Sequence, residues 1–383
     1  MAPDYNPCAT ETLTQFGQLQ MSRILRALLS ACCGVAGIWV TSIQAQTPTP
    51  SPLPLPNPYR VDDSFRLEMP DGMKALGSVS SVRIGPDGNV YVFHRCVDDS
   101  CAGHDDINPV LEYTPRGRLV RGLGAGAFNW PHGLLVMSDA SLWALDAGAV
   151  PAANGQRAIG SQALHLDKNG TTVAMLGKPG VSAAGRDTLN KPSDIAIGRN
   201  GDIFVADGHS GGAARLVKFN SHGEYVTECG SRGAGPGQMG QPHALAMDSQ
   251  GRIFLADRTN NRINIYDQDC RFLTEWRQFG RPSWIAIDAK DTIFVVDTQT
   301  TDGRAGFENG IYIGDARDGR VTGFIPKIRP RSLWQVRDAG GGAAEESLSD
   351  ATNMESIAVT PDGSVIYGGE VGLKTVIKFV RKP

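Results

Sequence analysis

The sequence predicts an all-β chain folded as a six-bladed β-propeller of four-stranded blades, and three observations carry that prediction. One two-strand phrase recurs six times from residue 79 onward, glycine is too abundant for long helices at 46 of 383 residues, and 41% hydrophobic residues are ample for a core. A formal net charge of −3, with no lysine- or arginine-rich cluster, argues against a nucleic-acid partner.

Residues 1–45 read as a leader outside the fold. Residues 1–20 are polar and patternless, so Met21 reads as an alternative start. It precedes Arg23, Arg26 and an apolar run from Ala27 to Ile43, with a small-residue cleavage site at Ile43-Gln44-Ala45. The run is at the short limit for a membrane span and no stop-transfer charge follows it, which favours cleavage over a signal anchor. A lipoprotein signal at Leu29-Ser30-Ala31-Cys32 is the other alternative, with few apolar residues ahead of Cys32. Residues 46–59 are proline-rich and read as a stiff linker. The expected product is a periplasmic or secreted monomer with no transmembrane domain after cleavage.

Export leaves Cys96, Cys101, Cys229 and Cys270, an even number suited to an oxidising compartment. Cys96 and Cys101 are close enough to bridge one loop. A metal site made of these two with His94 or His104 is the alternative, and it lacks a second cysteine pair. The partner of Cys229 is left open.

The propeller proper is expected over residues 60–383. Its six phrases are VSSVRIGPDGNVYVFHR, PHGLLVMSDASLWALDA, PSDIAIGRNGDIFVADG, PHALAMDSQGRIFLADR, PSWIAIDAKDTIFVVDT and MESIAVTPDGSVIYGGE. Each is an apolar strand, a tight turn and a second apolar strand ending in a small or acidic residue, and stretches such as NRINIYDQDCRFLTEW add two further strands. Stretches 298–316 and 325–353 read as inserted loops. The last phrase is followed by one strand only, so the N-terminal stretch around Ser64 to Glu68 is expected to supply the missing strand and close the ring.

Aligning the phrases places Ser80, His132, Ser193, His243, Ser283 and Glu355 at one equivalent position, just ahead of each innermost strand. In a propeller such positions ring the central channel, and alternate blades lie about 120° apart. His132, His243 and Glu355, from blades 2, 4 and 6, should therefore converge on the axis. Two imidazoles and a carboxylate with an open position suit zinc or another divalent first-row metal. The competing reading is two hydrogen-bonded structural histidines and a solvated glutamate.

The motifs FHR (Phe93–Arg95), WPHGL (Trp130–Leu134), FVADGH (Phe204–His209), QPHALA (Gln241–Ala246) and ADRTNNRI (Ala256–Ile263) resemble those of NHL-repeat propellers. Among these the chain is similar to the peptidyl-α-hydroxyglycine α-amidating lyases. The resemblance implies a channel zinc held by three histidines, with an arginine and a tyrosine flanking a carbinolamide that is split into a peptide amide and glyoxylate. On this pattern His132 and His243 match two zinc ligands, Arg95 matches the active-site arginine and Arg258 falls on a second one. Glu355 stands at the third histidine and His209 at the tyrosine, which makes His209 the candidate general acid or base; the competing readings are an exposed loop histidine for His209 and a surface ion pair with Asp98 or Asp99 for Arg95. The resemblance also implies a calcium held in part by the carbonyls of Val82 and Leu134, although its carboxylate position is Ser356.

The function expected is an exported metal-dependent carbon–nitrogen lyase acting on a small-molecule or peptide substrate in the channel. The alternative is a non-catalytic propeller that serves as a binding scaffold for peptide, glycan or protein. Lactone ring opening is a third reading, for which the ring offers too few carboxylates and amides.

Overall fold

A computed structural model describes residues 55–97, 99–153, 155, 157–300, 307–327 and 353–383. The expected leader, residues 46–54 of the linker and most of the 325–353 loop lie outside these residues. The described chain forms six four-stranded antiparallel sheets arranged as the blades of a propeller, with no α-helix among the described residues. Successive innermost strands are Val79–Ile84, Pro131–Val136, Pro192–Ile197, Pro242–Met247, Pro282–Ile287 and Met354–Val359.

The phrase encodes the packing directly. Second strands are buried along nearly their whole length because each blade is sandwiched between two neighbours, whereas an outermost strand such as Tyr225–Cys229 alternates. Three residues before the end of each phrase's second strand stands an aromatic: Tyr91, Trp143, Phe204, Phe254, Phe294 and Tyr367, all at most 5% exposed. Each wedges between blades, and burying such a side chain contributes roughly 1.5–3 kcal/mol.

A residue at the end of each second strand, or in blade 2 within it, pins the loop entering its own blade. Asp146, Asp207, Asp257 and Asp297 accept backbone N–H groups from Asn129 (2.5 Å), Asn190 (2.6 Å), Gly240 (2.8 Å) and Arg281 (2.9 Å). In blade 1 the acceptor is His94 Nδ1, to which Gly77 N–H donates at 3.2 Å. Glu370 takes the same place in blade 6. These groups fix the chain immediately ahead of the ring position, so the repeat that builds the fold also aims the channel side chains.

Two expectations about chain layout change. Closure comes from Tyr59–Val61, paired antiparallel with Thr375–Arg381, and not from the stretch around Ser64 to Glu68. Tyr59 decides this: its ring is buried and its hydroxyl donates to Gly363 O at 2.5 Å. Residues 64–68 instead strap blade 6 to blade 1, with Phe65 against Tyr367 and Glu68 accepting from Leu119 N–H. Similarly, the stretch read as an insertion at 298–316 contains the third strand of blade 5, Gly310–Asp315, followed by the outermost strand Val321–Pro326.

Two disulfides are present, Cys96–Cys101 and Cys229–Cys270. The first closes the short loop after the second strand of blade 1, in place of the alternative cysteine metal site. The second links the outermost strand of blade 3 to a turn of blade 4, across a sequence separation of 41 residues.

Candidate metal centre in the channel

Each ring residue is the second residue of its innermost strand, and each sits where the pairing with the second strand shifts register. A bulge re-aims a side chain. That places these residues inside the strand, not just ahead of it as the sequence reading had them, and turns them towards the axis. The serines of blades 1, 3 and 5 are fully buried, and Ser80 and Ser193 are spent on backbone carbonyls at 3.2 Å.

The other three members converge as expected and gain a fourth. His132, His209, His243 and Glu355 present ligand atoms that all lie within 4.8 Å of one another, and all four residues are buried. His132 Nδ1 lies 2.7 Å from Ser193 O and His243 Nδ1 lies 2.6 Å from Ser283 O. A carbonyl can only accept, so each Nδ1 carries the proton and each Nε2 turns a lone pair inward. The Nε2 atoms of His132, His209 and His243 have no hydrogen-bond partner. Glu355 Oε1 stands 3.1 Å from His243 Nε2 and 3.7 Å from His132 Nε2. Burial pushes His243 down to about 3, so the imidazole is neutral. Nitrogens without partners and a carboxylate oxygen face one another in a buried site, and as a donor set they fit a divalent metal.

Burial alone would raise Glu355, but the charge around it, of which the Arg258 guanidinium is the permanent part, holds its carboxyl well below the ordinary range. Arg258 follows the second strand of blade 4 and places Nη1 3.7 Å from Glu355 Oε1. Its Nε is buried without a partner. Arg95 holds the equivalent place in blade 1. Its guanidinium stacks 3.7 Å from the centre of the Trp130 ring, and it donates to Pro131 O at 3.1 Å and to Asp99 at 3.0 Å. The surface ion pair is thus real, but Asp99 is half exposed and Arg95 is buried. Asp98, the other partner considered for Arg95, lies outside the described residues.

His209 is not an exposed loop histidine. It opens a short 3-10 turn after the second strand of blade 3, is 5% exposed, and lies with its ring 4.5 Å from that of His132 and 5.0 Å from that of His243. Ser210 Oγ engages its Nδ1 at 2.7 Å, which leaves Nε2 for the cluster. Burial, then the neighbouring His132, His243 and Arg258, push its pKa well below the usual imidazole range.

The calcium-like positions look different. Val82 lies on the innermost strand of blade 1, and its carbonyl accepts from Arg83 Nη1 at 3.2 Å. Leu134 lies on the innermost strand of blade 2, fully buried and paired with Ala144.

A family model described as 6-bladed beta-propeller matches residues 188–302. NHL repeat-containing protein 3 of Homo sapiens is 30% identical over 192 residues, 48% of this chain and 50% of that protein. Peptidyl-alpha-hydroxyglycine alpha-amidating lyase 1 of Drosophila melanogaster is 25% identical over 340 residues, 80% of this chain and 58% of that protein. The chain is a six-bladed β-propeller with relatives of both names. It spans about half the length of the first curated relatives it matches. The structure of virginiamycin B lyase from Staphylococcus aureus superposes at TM-score 0.50 and 13% identity, covering 83% of this chain and 100% of that one, and shares the fold.

Sequence reasoning missed four contributions. Trp130 packs against Arg95, His132 and His209 at once. Gln241, with its amide oxygen turned towards Arg258 Nη2 at 2.8 Å and Ser210 N at 3.2 Å, ties that arginine to the His209 turn. Ser193 and Ser283 act through their carbonyls, which no side-chain pattern reports. Trp130 and Gln241 did stand inside the WPHGL and QPHALA motifs, directly before the Pro-His pairs, and that was the available signal.

Proposed function

We propose that the chain is an exported, metal-dependent lyase that splits the carbon–nitrogen bond of a carbinolamide, of the peptidyl-α-hydroxyglycine kind, into an amide and glyoxylate. One observation carries the proposal: Nε2 atoms without partners and a carboxylate converge in a buried channel beside two arginines, Arg95 and Arg258. The curated relatives named as amidating lyases support the reaction class, and two disulfides support an oxidising destination.

His132, His243 and Glu355, all on innermost strands, would hold the metal, most simply zinc, and leave a position open. When bound, such an ion supplies Lewis-acid polarisation of an oxygen. Arg95 and Arg258 receive the carboxylate of the substrate through charge-assisted donors, and Trp130 holds the Arg95 plane. The reaction breaks the bond between carbon and amide nitrogen as the hydroxyl oxygen becomes the aldehyde oxygen of glyoxylate. The hydroxyl proton must leave and the departing nitrogen must gain one. We assign both transfers to His209 Nε2, because His209 is borne on a turn whereas the three metal-holding residues are fixed by strand bulges.

The test pairs elemental analysis with glyoxylate release from a peptidyl-α-hydroxyglycine. Stoichiometric zinc with glyoxylate formation is expected. Folded, metal-free protein that releases none would leave the scaffold reading. His209→Ala is expected to keep its metal and lose turnover, whereas loss of the metal would move His209 from proton carrier to ligand.

A further inference from the structure

Blades 2, 4 and 6 supply the inner-strand donors of the candidate metal centre, and blades 1, 3 and 5 build a second group that the proposed reaction does not use. Arg83 of blade 1 places Nη2 3.0 Å from Asp194 Oδ1 of blade 3, and its guanidinium lies 4.7 Å from the centre of the Trp284 ring of blade 5. Arg83 Nη1 donates to Val82 O at 3.2 Å. The second carboxylate oxygen, Asp194 Oδ2, accepts Leu245 N–H of blade 4 at 2.9 Å. The Asp194 side chain is 0% exposed and that of Arg83 is 15% exposed. Asp194 and Trp284 directly follow Ser193 and Ser283, whose carbonyls orient His132 and His243. Asp194 is therefore one residue from the carbonyl that orients His132, and Trp284 one residue from the carbonyl that orients His243.

We propose that the guanidinium of Arg83 is the structural cation of this channel, occupying the place among a backbone carbonyl and a carboxylate that a calcium ion would otherwise take, so that the propeller binds no calcium there and does not need it. Calcium requires six to eight oxygen ligands. Here the Val82 carbonyl and both Asp194 oxygens are engaged by N–H donors, and a serine, Ser356, stands where the resemblance implied a carboxylate. Among the described residues, the only group of three or more His, Cys, Asp or Glu that could hold an ion is the one already described. A planar guanidinium satisfies what remains: it takes carboxylate and carbonyl in its plane and offers its face to an indole, which an ammonium or a hydrated ion cannot do. A tethered cation is also never lost by dilution.

The test reads stability and calcium content, both independent of turnover. With zinc buffered, the thermal midpoint of the wild-type protein is expected to be the same in EGTA and in millimolar calcium, and equilibrium dialysis against radioactive calcium to show no stoichiometric uptake. One bound calcium that raises the midpoint would overturn the proposal. Arg83→Ala strands the Asp194 carboxylate without its cation. Its midpoint should fall by on the order of 10 °C and recover in part with millimolar methylguanidinium or calcium. An Arg83→Ala protein as stable as wild type in calcium-free buffer would likewise overturn it. Should that variant fail to fold, the wild-type measurements decide alone.

Discussion

Glu370 offers the sharpest perturbation of the fold that bears on the site. It ends the second strand of blade 6, where the other blades carry aspartate or histidine, and pairs directly with Met354, the residue before Glu355. It is 2% exposed, and one of its carboxylate oxygens has no partner. Burial pushes its carboxyl from 4.5 up to about 8, against smaller opposing effects of Lys327 and a backbone hydrogen bond at Asn353. The folded state thus binds a proton that the unfolded state has released throughout that window. Stability is greatest below the unfolded value and falls as pH rises towards the folded one. At 1.36 kcal/mol per unit, the full rise corresponds to an upper bound of about 5 kcal/mol lost above pH 8. Asp146 and Asp207 are pushed by burial to about 6, and burial holds His94 and His243 below the usual imidazole range, so the interval from about pH 6 to 8 isolates Glu370 only in the difference between wild type and a variant lacking its ionisation, with a slope near 1.4 kcal/mol per unit. Glu370→Gln keeps the shape and removes the ionisation. Urea unfolding of both proteins across that interval should show the wild-type stability falling relative to that of the variant by this slope, with the variant the more stable at pH 8. Parallel pH profiles would refute the reasoning.

Other predictions follow from single contacts. Arg95→Lys keeps the charge but loses the planar stack on Trp130 and the paired donors, so kcat/KM for a carbinolamide acid should fall by about 10–100-fold; unchanged turnover would remove the proposed role of Arg95. His243→Ala removes a donor whose Nδ1 is already fixed by Ser283, and native mass spectrometry should show loss of the bound metal with the propeller still folded. Replacing Cys229 and Cys270 together by serine opens the link between blades 3 and 4. The chain-entropy model gives a loss of about 4 kcal/mol for such a loop, which scanning calorimetry should read as a midpoint lower by on the order of 10 °C.

What the sequence made legible was whatever recurs. Six copies of one phrase define the blades, and the aligned second residue of each innermost strand yields His132, His243 and Glu355 although they lie far apart in the chain. Features that occur once were harder to see. The closing strand has three residues next to a proline run, too short for an alternating pattern. His209 lies on a turn where the repeat alignment assigns no direction to its side chain. Cys229 and Cys270 meet because neighbouring blades bring an outermost strand beside a turn, a distance between blades that no spacing within the chain encodes. Arg83 and Asp194 did leave a trace: each is a charged residue inside an otherwise apolar innermost strand. Their partnership stayed hidden because aligned positions in the other blades hold residues of unrelated chemistry.

The division of labour around the channel has an energetic logic. Three buried imidazole nitrogens without partners oppose folding, each by roughly 1–3 kcal/mol, and under the proposed function a bound ion would offset that loss. A site poised in this way needs a rigid frame, because any slack would let the side chains turn to satisfy one another. The fold supplies it in two ways. The acids that end the second strands hold each loop that feeds an innermost strand, and the carbonyls of Ser193 and Ser283 lock the outer nitrogens of His132 and His243. Asp194 then links the same strand to the backbone of blade 4 two residues beyond His243, while Arg83 neutralises it from blade 1. On the innermost strands, blades 2, 4 and 6 thus carry the donors, while Arg83, Ser193, Asp194 and Ser283 of blades 1, 3 and 5 carry the frame, so a substitution among these four should act on geometry and stability, and one among the donors on metal and chemistry.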